Sequence, residues 1–134
     1  MKAKILIAAV ALFLFSCAAD KLDIAKAKDT AEKCLAAIDK EDYTAVVNDY
    51  YSKELNGSQT KEELSGKFKK LKDVTGPMQS FELKASDNSV EAMKESSCTL
   101  TYVVKHERVT TNEKFTIIEE DGKYRISQHE IRND

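Results

Sequence analysis

The sequence predicts an α+β domain in which three N-terminal helices pack on a curved four-stranded antiparallel sheet. Three observations carry this. Apolar residues recur every three or four positions as far as Leu71, and every second position from Phe81 onward. Gly76-Pro77 separates the two regimes. Asp121-Gly122 between two alternating runs is a tight-hairpin signal, which makes the strands antiparallel. Helices followed by strands, rather than alternating with them, segregate to one face of the sheet.

Ile24, Ala27, Ala31, Cys34, Leu35 and Ile38 form one stripe of a helix over 22–40, with Lys26, Asp29, Glu32 and Lys33 off the stripe. Asp39-Lys40-Glu41-Asp42 breaks it. Asp42 is placed to cap a second helix carrying Tyr43, Val46, Val47 and Tyr50, ending near Tyr51. Thr60-Lys61-Glu62-Glu63 is a capping box opening a third helix, whose buried face is Leu64, Phe68 and Leu71. Strands follow at Phe81-Leu83-Ala85, Cys98-Leu100-Tyr102-Val104, Val109 to Glu119 with Phe115 and Ile117 on one face, and Tyr124 to Ile131.

The chain has 134 residues, 42% of them hydrophobic, with 1 Pro and 4 Gly. That allows one domain with its own core and excludes a disordered or low-complexity chain. A net charge of -2 gives no basic surface for nucleic acid.

The first residues are of a different kind. Lys2 and Lys4 precede an uncharged run from Ile5 to Phe15, the pattern and length of a secretory leader. A membrane span needs about 20 apolar residues. Leu14-Phe15-Ser16-Cys17 resembles the lipobox of bacterial lipoproteins. The resemblance implies a signal peptide over 1–16, acylation of Cys17 (diacylglyceryl on sulfur, palmitate-type acyl chains), a short tether over 17–21 and a domain over 22–134. Loss of Lys2 and Lys4 leaves 19 basic against 23 acidic residues, so lipid and not basic charge would hold the protein at the membrane. The expected location is extracytoplasmic, anchored to a bacterial membrane. In a Gram-negative cell Ala18, and not Asp, after the lipidated position implies the outer membrane.

Ala36-Ala37-Ile38-Asp39 with Asp42-Tyr43, Gly76-Pro77, and Glu120-Asp121-Gly122-Lys123-Tyr124-Arg125-Ile126 together resemble the nuclear transport factor two-like cone, as found in small secreted and lipid-anchored bacterial proteins. The fold hosts isomerases, dehydratases and binding modules alike, so it selects no function.

The residues offer few chemical sites. Cys34 and Cys98 both fall on apolar faces, and with Cys17 acylated they are an even pair. Either a disulfide or two buried thiols is consistent with that. Tyr43, Tyr50, Tyr51, Tyr102 and Tyr124 are candidates to line a pocket, with core packing as the plainer role. His106 and His129 read as solvent-exposed strand-end residues, with His129 on the side opposite Ile126 and no His–Asp pair in reach. Lys67, Lys69, Lys70 and Lys72 read as a solvated helix face. No phosphate loop, nucleophile elbow or metal-ligand spacing occurs. The expectation is a binding or interaction module with no catalytic residue, metal or cofactor, engaging the membrane by its anchor and a small apolar ligand or envelope protein by its fold. The alternatives are a small-molecule isomerase or hydrolyase, and a structural envelope lipoprotein.

Overall fold

The computed structural model describes residues 20–133. The leader, Cys17 and Asp134 lie outside the described residues.

Helix α1 (Ile24–Asp39) starts at Asp23, whose carboxylate accepts from the backbone N–H groups of Ala25 and Lys26. It buries Ala27, Ala31, Cys34 and Leu35 of the expected stripe together with Ala37, while Ile24 at its start is exposed and Ile38 is half-buried. Asp42 caps the next segment by accepting from the Ala45 N–H at 3.2 Å. That segment is not one regular helix. A single α-turn, α2 (Tyr43–Ala45), widens into a π-turn over Val46–Tyr50. Tyr51 then adopts extended backbone. A further short helix, α3 (Lys53–Gly57), starts at Ser52, whose hydroxyl accepts from Leu55. The described residues therefore hold four helices where three were expected. Helix α4 (Lys61–Thr75) opens with the capping box, both halves formed: Thr60 Oγ1 accepts from the Glu63 N–H, and Glu63 accepts from the Thr60 N–H. It closes at Gly76, where φ is +80°. The Thr75 and Pro77 carbonyls accept from Arg108 and Glu107, which binds this corner to the β2–β3 turn.

Strands β1 (Met78–Ser89), β2 (Ser97–His106), β3 (Thr110–Glu120) and β4 (Lys123–Asn133) form an antiparallel meander in sequence order. The inner face carries Cys98, Leu100, Tyr102 and Val104 of β2, and Thr111, Glu113, Phe115 and Ile117 of β3, all buried. Three irregularities change which residues face inward, the first between Met78 and Ser80 of β1. An extra residue at Lys84 puts Ala85 opposite Thr101, off the face that Leu83 shares with Tyr102. A bulge at Ser127 shifts the register of β4, so that both Ile126 and His129 face inward, opposite Ile117 and Phe115.

The domain has two distinct ends. At one, the Asp23 N–H donates to Tyr124 Oη at 2.7 Å, and Leu22 lies beside Glu95, Ser96 and Glu119. The chain enters here. At the other, the Met78 N–H donates to Asp39, and Lys72 Nζ donates to the Asp39 carbonyl. The 16 residues of α1 separate the ends by about 24 Å.

Candidate functional site

The buried polar groups of the inner face concentrate at the end remote from chain entry. Period-2 alternation puts Glu113 between Thr111 and Phe115 on a buried face, where a lone carboxylate is costly. The Ser127 bulge supplies its partner: His129 Nε2 lies 2.9 Å from Glu113 Oε2. The imidazole stacks on Phe115, ring centroids 4.2 Å apart. Its Nδ1 lies 2.9 Å from Tyr51 Oη. The Glu113 and His129 side chains are 4% and 3% exposed, so water contributes little to satisfying them.

Donor and acceptor roles follow from the chemistry of the groups. Burial, and then the nearby Cys34 and Glu113, push the Tyr51 phenol well above its ordinary range, so it stays protonated and donates to His129 Nδ1. Nε2–H then donates to Glu113. The second carboxylate oxygen accepts from Thr111 Oγ1 at 3.3 Å. The Thr111 oxygen, having given its proton, accepts from His106 Nε2 at 3.2 Å. The result is a chain Tyr51–His129–Glu113–Thr111–His106. It ends in His106 Nδ1, which is buried without a partner among the described residues.

Beside this chain is a cavity of about 40 Å³, lined by His106 and Glu113 on the sheet side and by Leu35, Phe68 and Leu71 on the helix side. Ligand sites for small molecules occupy about 300–1,000 Å³. The cavity is therefore of solvent size, and the water it has room for would relieve His106 Nδ1.

Both histidines thus lie inside, contrary to the solvent-exposed reading, although His106 does end β2. Strict alternation carries no allowance for a bulge and so places His129 on the outer face. The signal for Glu113 was present: it shares the period-2 face of Phe115 and Ile117.

The tyrosines expected at a pocket do not border this cavity. Tyr43 is buried against Phe68. Tyr50 is half-buried against the core. Tyr102 is buried, donates to Glu32 and packs edge-on to Phe81 and Phe115. Tyr124 sits at the opposite end, on Asp23. Cys34 and Cys98 are both buried as free thiols, so the bridge weighed above is not formed. Burial, followed by the Glu113 charge, pushes the Cys34 thiol well above its ordinary range, the reverse of an activated nucleophile.

No group of three or more His, Cys, Asp or Glu among the described residues is arranged to hold a metal ion. No helix among them is long and apolar enough to cross a membrane. In comparisons with known proteins, neither a family model nor a curated protein matches this chain.

Proposed function

We propose that the chain is a lipid-anchored, extracytoplasmic binding module of the nuclear transport factor two-like kind, which works through its outer surface. The observation that carries this is the small interior: the cavity between helices and sheet has a volume of about 40 Å³, and Glu113 beside it is committed to His129 and Thr111. An acid–base catalyst needs its groups within reach of a bound substrate, and there is no room for one. The lipobox-like Leu14-Phe15-Ser16-Cys17 supplies the anchor. The described domain starts with Leu22 already buried, five residues past Cys17, so its entry end would lie close to the bilayer.

Membrane-extracted protein analysed by mass spectrometry should begin at an acylated Cys17, and Cys17→Ser should move the protein to the soluble fraction. A precursor of unchanged mass that stays soluble would contradict the anchored reading.

One observation favours a second reading, the small-molecule isomerase or hydrolyase. Glu113 and His106 line the cavity, and His106 Nδ1 has no partner among the described residues. An enzyme of that kind would show turnover lost in Glu113→Gln and kept in a variant of an exposed lysine such as Lys70→Glu.

A further inference from the structure

The end of the domain remote from chain entry carries a groove of about 480 Å³ between α4 and the last residues of β4. Its floor is Leu71, Val74 and Ile131, and its rim is Lys67 and Lys70. Val74 is 68% exposed, an unusual position for a large aliphatic side chain on a helix that otherwise buries its apolar face. Ile131 pairs with Glu113 in the β3–β4 ladder and so points to the helix side of the sheet, into the groove.

Two further features say what fits there. The outer edge of β4 is covered only near its middle, where Tyr51 bridges Ile126 and the Ser52 N–H donates to the Ile126 carbonyl. Beyond that bridge, residues 128–133 pair with β3 on one side and with no described strand on the other. The rim charge of Lys67 and Lys70 also stands outside any ion pair among the described residues. Lys67 Nζ lies 5.6 Å from the centre of the Phe68 ring. Glu130, the nearest carboxylate on β4, is held by Arg132 at 3.6 Å. On a chain of net charge -2, this is a local cationic site beside an apolar floor and an open strand edge.

We propose that this groove binds an extended protein segment of alternating acidic and aliphatic residues, which adds to β4 as a fifth strand. Its backbone pairs with the open edge, its aliphatic side chains fall on Val74, Leu71 and Ile131, and its carboxylates meet Lys67 and Lys70. This rests on the binding-module reading and gives the partner its chemistry. The groove lies at the end away from chain entry, so an anchored molecule would present it outward from its own bilayer.

The test uses full-length mature protein extracted in non-ionic detergent and three fluorescent decapeptides, followed by anisotropy. One alternates Glu and Val, one alternates Lys and Val, and one is the Glu–Val peptide with every second amide methylated. The Glu–Val peptide should bind. The Lys–Val and methylated peptides, and the Lys67→Glu/Lys70→Glu variant with the Glu–Val peptide, should each bind about tenfold more weakly or less. Both lysines are exposed, so that variant should fold, and Val74→Glu serves as a second variant with the same expected loss. Equal binding of the acidic and basic peptides, or unchanged binding by the charge-reversed variant, would overturn the proposal. So would self-association through the groove, or displacement of the peptide by phosphatidylglycerol vesicles. If no peptide binds while Cys17 is acylated and the interior admits no ligand, the groove proposal fails and the binding-module reading does not.

Discussion

Removing His129 tests whether the interior polar chain serves structure. In His129→Leu, Glu113 keeps its place on a face 4% exposed and loses its charge-assisted partner. Breaking a buried pair from one side costs about 3–5 kcal/mol. The stack on Phe115 at 4.2 Å goes too, worth about 0.5–1.5 kcal/mol, and Tyr51 Oη is orphaned, at about 1–3 kcal/mol. These overlap, because the carboxylate can shift toward Thr111, so about 4 kcal/mol is the expected total. A domain of this size holds about 5–15 kcal/mol. The variant should therefore lose about a quarter or more of its stability in urea at neutral pH. The triple variant Tyr51→Phe/Glu113→Leu/His129→Leu removes donor, acceptor and charge together and leaves Thr111 and His106 bonded to each other. Replacing a buried ionic group by apolar residues is often neutral or better, so the triple variant should recover to within about 2 kcal/mol of the parent. A single variant that costs under about 1 kcal/mol, or a triple variant as unstable as the single one, would refute the reasoning.

Other consequences follow from the same physical terms. Gly76→Ala places a Cβ 2.8 Å from Glu107 Cβ at a φ of +80°, so it should cost about 1–3 kcal/mol, read as a fall in thermal midpoint. Thr60→Ala removes half of the α4 capping box and should cost about 1 kcal/mol, read from urea denaturation. Burial raises the Tyr51 and Tyr102 phenols and the Cys34 thiol above their ordinary values of 10.0, 10.0 and 9.0. The folded state therefore holds protons that the unfolded state releases. The stability they contribute is complete below pH 9 and is lost as pH rises past 9 for the thiol and 10 for the phenols. The denaturation midpoint should fall over that range, with Tyr43, Tyr51 and Tyr102 of the 5 tyrosines ionising later than exposed phenols. Phenolate absorbance that rises smoothly for all five in the folded protein would contradict this.

The α+β class and the four antiparallel strands were legible because each rests on a local period or a turn dipeptide. The α1 stripe, the Thr60 capping box and the Asp121-Gly122 hairpin are features that a few consecutive residues determine. What escaped depends on longer-range pairing. The segment after Asp42 reads as one helix, since Tyr43, Val46, Val47 and Tyr50 keep helical spacing. Only the docking of Tyr51 and Ser52 on Ile126 breaks it into a π-turn and the Ser52-capped α3. A bulge leaves no signature in alternation alone, so Ser127 turned His129 from an exterior residue into the partner of Glu113. Cys34 and Cys98 each fell on the expected buried face, but facing one core does not fix the approach a bridge requires. At the exterior site, the lysines of α4 were legible as an exposed run. The groove beside them was not, because Ile131 and the open edge of β4 come from the far end of the chain.

The small size of the interior cavity is tested most directly by titrating a benzene-sized apolar probe into isotopically labelled protein and following the methyl signals of Leu35, Leu71 and Val104. A space of about 40 Å³ holds solvent and not an aromatic ring, so these signals should stay fixed throughout. Saturable movement of all three would show that the interior opens to admit a ligand, and would contradict a module that acts only through its surface.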